Sequence, residues 1–257
     1  MSSSVMSSNF NLTSTSSTDW FSQFKILIKR GLLYNLRNKR SSLGLYFVAL
    51  CNGLLYGAVF HALGDERLKF DPFHPMANAA HNQQVQQNYV GMVFFASMDS
   101  FLSPALSQII QLPLLRPVFV REMSSKMYSS HVYFLANWFT STLNLMMYPL
   151  ITSAVSFWFL KMNESGFENY MRWLLTLSLS TLQGSTFGFM FGIIYNDIES
   201  AANVMSTIAC CLTYTCGVYV NLKTGPWYIR FMGYISPFRY TCEKLMRILL
   251  RGLPYVD

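Results

Sequence analysis

Asp99 is the one acidic or basic residue within an apolar run, Tyr89–Leu115. A charge at membrane depth costs about 2.5–3.5 kcal/mol on insertion scales and is kept facing an interior or a water-filled cavity. Two readings follow: Asp99 faces a water-filled cavity, or it pairs with or bonds to a neighbouring helix. A second cluster of chemistry follows the same run, at Arg116, Arg121 and Glu122, with Tyr128 beyond. Charges of both signs in a short connector can hold a rigid knob in register by ion pairing, and Lys29 and Arg37 are the candidate partners of Glu122. The plainer alternative is a basic connector on the cytosolic face. Ser206, Cys210, Thr213 and Gly217 recur at i, i+4, i+7 and i+11. On a helix that is one narrow, small, mildly polar stripe, suited to lining a cavity or to close helix packing. Gly184, Gly188 and Gly192 form two overlapping Gly-x-x-x-Gly units, which read as a packing seam.

Other chemistries find no support. Cys51, Cys210, Cys211 and Cys216 lie in apolar runs, and no Cys-x-x-Cys pair occurs. The four histidines share no metal-ligand spacing, so no metal site is expected. No Gly-x-x-x-x-Gly-Lys-Ser/Thr loop is present to cradle a nucleotide phosphate. By itself the chain is not expected to be an enzyme or to bind a cofactor.

The elements that carry these residues follow from composition. Of 257 residues 52% are hydrophobic, 16% aromatic and only 12% charged, about half the charge of a soluble domain. A soluble fold of this size could not hide that much apolar surface. The expected class is an all-α polytopic membrane protein. Residues 1–18, of which 11 are Ser or Thr, read as a disordered tail. Residues 19–40 combine Phe21, Phe24, Ile28 and Leu32 at helical spacing with six Lys or Arg, the pattern of an interfacial helix. Five charge-poor stretches of spanning length follow, at 43–63, 89–115, 132–160, 173–195 and 201–222. Pro104 and Pro149 are expected to kink the second and third without ending them. Lys and Arg in alternate connectors divide nine against four, which places the N-terminus in the cytosol. The segment from Lys223 onward carries six more cations and disagrees with that count. The net charge of +7 fits a membrane surface better than nucleic acid.

Several motifs occur in a telling order: Arg116-Pro-Val-Phe-Val-Arg-Glu122, then Met127-Tyr128 and Tyr133-Phe134, then Gly217-Val-Tyr-Val-Asn-Leu222, Pro226-Trp227 and Tyr234-Ile-Ser-Pro-Phe-Arg-Tyr240 with Glu243. Together with Phe21, Gln23, Leu27 and Arg30, and Gly91 with Phe94-Phe95, they resemble the membrane domain of G-subfamily ATP-binding-cassette transporters, the White and pigment group. The resemblance covers about residues 20–251. It implies a short docking helix over 116–130 that receives motion from an ATPase domain. It also implies a transport cavity between two paired membrane domains, lined by Asp99, Phe101, Leu102, Ser206, Cys210, Thr213, Val218 and Tyr219. The partners it implies are the membrane, a second membrane domain, and a nucleotide-binding domain that holds ATP and magnesium on another chain or a missing part. The substrate would be lipid-like or amphipathic. The family's nucleotide-binding domain and sixth span are not in this sequence, so a split subunit, a fragment or a degenerate relative is expected. The rival function is a former transporter domain retained as a structural subunit of a larger membrane complex.

Overall fold

A computed structural model of the chain describes residues 19–61, 75–125, 127–159, 166–218 and 226–250. All regular structure among them is helical: α1 (Trp20–Arg37), α2 (Lys39–Val59), α3 (Pro75–Ser124), α4 (Ser130–Leu145), α5 (Met147–Phe159), α6 (Gly166–Ile194), α7 (Ile198–Tyr214), α8 (Trp227–Ile235) and α9 (Pro237–Leu250). Three helices hold stretches long and apolar enough to cross a membrane, over Ser42–Val59, Gln83–Ser124 and Phe167–Ile194. The protein is an all-α polytopic membrane protein. Residues 1–18 and Tyr219 lie outside the described residues.

Three parallel helix pairs build the molecule, and each closes over glycine. In α6, Gly184 and Gly188 lie against the backbone of Phe101 and Ala105 in α3, and Gly192 against Leu112. Both numberings rise together, so α3 and α6 run in one direction. A Cβ on Gly184 or Gly188 would overlap a carbonyl of α3, so only hydrogen permits this approach. The expected seam is therefore the contact between the two longest helices. Gly53 and Gly57 do the same for α2 against Thr152, Val155 and Phe159 of α5, and Gly31 of α1 meets Thr140 of α4. The α2 and α3 helices are antiparallel, because Asn52 pairs with Asp99 while Phe60 touches Gly91.

Three expected boundaries move. The second apolar run does not end in a loop at 116: α3 is continuous from Pro75 to Ser124 through Pro104, Pro113 and Pro117. The third run is interrupted at Met146. Pro149 has no N–H to give the Leu145 carbonyl and its ring crowds that group, so α4 ends at Leu145. The fifth run stops at Tyr214, eight residues before 222. Gly217 takes the left-handed conformation, φ 93°, in the turn that follows.

The short α7 is completed by α8 and α9. Ser236 donates to the Leu212 carbonyl at 2.7 Å, and Phe238 joins Phe101, Met205 and Ala209 in one apolar cluster. Cys242 and Leu245 of α9 pack with Val85, Tyr89 and Met92 of α3 and Trp173 and Leu177 of α6. The α9 helix thus caps the end of the molecule opposite Glu122.

Candidate functional site

Where α3 emerges from its apolar stretch, it meets the start of α4 and the flank of α1. Glu122, in the last turn of α3, accepts two hydrogen bonds from Arg30 Nη1, at 2.9 and 2.8 Å. The Tyr128 hydroxyl donates to the same carboxylate at 2.6 Å. The Arg30 guanidinium sits 5.9 Å from the centre of the Tyr128 ring, and Tyr128 stacks on Tyr133 with centroids 5.4 Å apart. Burial pushes the Tyr128 hydroxyl above its ordinary pKa, and the bond to Glu122 pushes it further, so it stays a donor at neutral pH. Phe119 packs on Tyr133 and Phe134, and Leu27 and Val132 close the cluster beneath. Gln23 completes the junction by accepting from the Ser129 backbone N–H at 3.3 Å.

The expected ion pair exists, but its cation is Arg30. Lys29 and Arg37 are exposed. On α1 the buried positions Gln23 and Leu27 continue to Arg30 at i+7. Lys29 is rotated about 100° off that face, and Arg37 lies about 10 Å further along the axis. Arg121 is exposed. Arg116 bonds to the Asn196 side chain in the short α6–α7 connector, which holds the two connectors at one end of the molecule. The separate docking helix expected over 116–130 is instead the last turns of α3 followed by a short bend.

Asp99 is hydrogen-bonded to neighbouring helices. Asn52 Nδ2 of α2 and Ser103 Oγ donate to Oδ1 at 2.8 and 2.7 Å, and the Tyr148 hydroxyl of α5 donates to Oδ2 at 2.6 Å. Asn52 also bonds Tyr148 at 2.9 Å. This cluster ties the α2–α5 pair to α3 by neutral donors around one carboxylate. Asn52, Ser103 and Tyr148 were not singled out in the sequence, because a lone Asn or Tyr in an apolar run carries no spacing signal.

The remaining cavity candidates do not converge on one space within the chain. Phe101 is 1% exposed and its ring packs on Phe187 and Phe238. Leu102 packs at the edge of the same cluster. Thr213 is buried and donates to the Ala209 carbonyl at 2.7 Å, with Met98 Sδ 3.0 Å away. Ser206 is half-buried and Cys210 exposed, so these two look away from the core. Val218 bridges the two main apolar clusters. Gly217 leaves the stripe because the helix has already ended. Among the described residues, no group of three His, Cys, Asp or Glu is placed to hold a metal.

Residues 22–250 match the ABC-2 type transporter family. The chain belongs to this family. Similar proteins include ABC transporter G family member 21 of Arabidopsis thaliana, 25% identical over 89% of this chain and 31% of its own length. The Broad substrate specificity ATP-binding cassette transporter ABCG2 of Bos taurus is 24% identical over 88% of the chain and 32% of its own length. Protein white of Ceratitis capitata is 22% identical over 90% and 32%. The chain spans about a third of the length of these relatives. The matched region of this ABC-2 membrane domain begins at the turn of α1 that bears Gln23 and ends with α9. It therefore contains the Arg30–Glu122–Tyr128 junction, the Asp99 cluster and all three glycine seams.

Proposed function

We propose that this domain is the membrane-spanning part of an ATP-driven transporter for a lipid-like or amphipathic substrate. It works as a pair with a second such domain, and ATP is hydrolysed by a nucleotide-binding domain on another chain or another part of the protein. The N-terminus faces the cytosol, α1 lies along that surface, and the outward-looking Ser206 and Cys210 face the second domain. The observation that carries the reading is the Arg30–Glu122–Tyr128 junction. It clamps the end of a 50-residue helix to the basic helix α1. A helix of that length is about 75 Å long, so a push at Glu122 displaces the whole of α3, including Asp99.

The test is charge reversal in the assembled transporter. Glu122→Lys should reduce coupled ATP hydrolysis about tenfold or more, equivalent to ~1.4 kcal/mol. Thermal stability should change by less than about 1 kcal/mol, because the pair is partly exposed. Combining Glu122→Lys with Arg30→Glu should recover part of the loss, as for two sites sharing one interaction. Hydrolysis and transport indistinguishable from wild type in Glu122→Lys would defeat the coupling role and favour a structural subunit.

A further inference from the structure

The helices α1 and α2 meet at Asn38, and a groove of about 400 Å³ lies in their elbow against α4 and the start of α5. Its uncharged polar side chains already have partners within the protein. Asn35 Nδ2 donates to the Thr140 carbonyl at 3.0 Å, and the Thr140 hydroxyl donates to the Ala136 carbonyl at 2.9 Å. The Tyr46 hydroxyl donates to Asn144 Oδ1 at 2.8 Å. Ser42 Oγ accepts from Asn144 Nδ2 and donates to the Asn35 carbonyl, each at 3.5 Å. The remaining polar group is Lys39, the one formal charge on the wall. Lys39 is exposed and, among the described residues, pairs with no acid.

Charge and depth decide the occupant. From Trp20 to Val59, through both helices, the chain carries six Lys or Arg and no Asp or Glu. Glu122 neutralises Arg30. Arg37, Lys39 and Arg40 crowd the elbow, all exposed and none with an acid beside it among the described residues. The missing counter-charge is an anion from outside the domain. Ser42 opens the stretch of α2 that is apolar enough to cross a membrane. Lys39 stands three residues before it, about 4.5 Å along the axis, at the depth of lipid headgroups, where cations near the end of a span attract anionic lipid. Leu43, Leu143 and Met147 border the groove at the level of Ser42 and Tyr46 and are exposed, so this side of the groove opens to hydrocarbon and not to an acidic protein surface. We propose that the groove binds an anionic phospholipid of the leaflet along which α1 lies. Its phosphate sits on Lys39, with Arg37 and Arg40 beside it, and its acyl region lies against Leu43, Leu143 and Met147. Because Arg30 is carried by the same α1, the bound lipid holds the helix that clamps Glu122. The site rests on α1 lying along the membrane surface, as proposed above, but not on transport. Binding is read without nucleotide, so its failure is separate from a failure of coupling in Glu122→Lys.

The full chain, purified in neutral detergent, is titrated with phosphatidylglycerol and with phosphatidylcholine of the same acyl chains, and bound lipid is counted by native mass spectrometry. Phosphatidylglycerol should bind about fivefold more tightly or better, the effect of one cation beside an anionic lipid. Lys39→Gln should remove most of that preference and Lys39→Arg should keep it. Lys25→Gln removes the same charge near the far end of α1 and should leave the preference intact. Leu36→Glu sets an acid on the groove wall and should abolish the preference. Leu33→Glu makes the same change of charge on α1 away from the wall and should not. All five variants should keep the wild-type helical circular dichroism. A preference retained in Lys39→Gln, or equal losses within either matched pair, would reduce the site to diffuse charge attraction and overturn it. No preference in the wild type would leave these cations to an acidic protein surface and overturn the lipid.

Discussion

Glu122 selects Arg30 among the cations of α1 through helical phase and height along the axis. The sequence motif of Arg-Glu after an apolar run exposed the acid, and the basic helix exposed the class of partner. The partner itself was legible in the spacing of Gln23, Leu27 and Arg30, which share one face; Lys29 lies about 100° off it, and Arg37 shares it but sits about 10 Å further along the axis. Asp99 was legible as an exceptional residue, but its role was not, because Asn52 and Tyr148 come from helices 47 and 49 residues distant in sequence. Its surroundings make a sharp prediction. Asp99→Asn keeps the shape and an acceptor, and Tyr148 can turn to accept from the new amide. Asp99→Leu leaves Asn52, Ser103 and Tyr148 without their shared acceptor. Each buried donor so stranded costs on the order of 1–3 kcal/mol in water-soluble proteins, and less, about 0.6 kcal/mol, between helices in a membrane. Thermal unfolding in detergent should therefore show a small loss for Asp99→Asn and a loss of about 2–3 kcal/mol for Asp99→Leu. Equal midpoints for the two variants would mean that the hydrogen bonds contribute nothing.

At the scale of elements, the apolar runs located the helices and the glycine spacing located one seam. The ends were harder to read. A run of apolar residues from 201 to 222 does not reveal that Gly217 will adopt positive φ and that α8 and α9 will fill the space beyond Tyr214. The break at Met146 is set three residues downstream by Pro149, so its place could be deduced only by counting back to the carbonyl the proline cannot satisfy. The seams can be tested one glycine at a time. Gly188→Ala places a methyl on the Ala105 carbonyl, and backbone there cannot give way without separating α3 from α6. Such overpacking costs about 1–3 kcal/mol. Gly44→Ala is the matched control in α2, since nothing lies within 4 Å of the new methyl. It should be neutral or stabilising by up to about 1 kcal/mol through helix propensity. Thermal midpoints that fall equally in both variants would show that helix propensity and not the seam is being measured.

At the scale of the whole molecule, packing and charge give separate accounts of which end faces the cytosol. Packing groups the end of α3, the start of α4 and the α6–α7 connector through the Arg116–Asn196 bond. It sends α9 to the opposite end, with the starts of α3 and α6. Lysine and arginine counts in the connectors agree with the first grouping, and the charge rule predicts the cytosol for it. The cations of α8 and α9 would, by the same rule, be cytosolic too. Two of them are locally engaged: Arg247 pairs with Glu243, and the Arg239 guanidinium lies 4.8 Å from the Tyr234 ring centre. Packing is the firmer guide here, because reversing α9 would expose Phe238, Cys242 and Leu245, all now buried. Single cysteines introduced at Ser125, Glu199 and Trp227, with the five native cysteines replaced, separate the possibilities in sealed vesicles treated with an impermeant maleimide. Positions 125 and 199 should react from the cytosolic side and position 227 only from the other. Reaction of 125 and 199 from opposite sides would contradict the grouping of connectors, and so the parallel pairing of α3 with α6. Reaction of all three from the cytosolic side would mean that the cations of α8 and α9 obey the charge rule after all, and that α9 has been assigned to the wrong end.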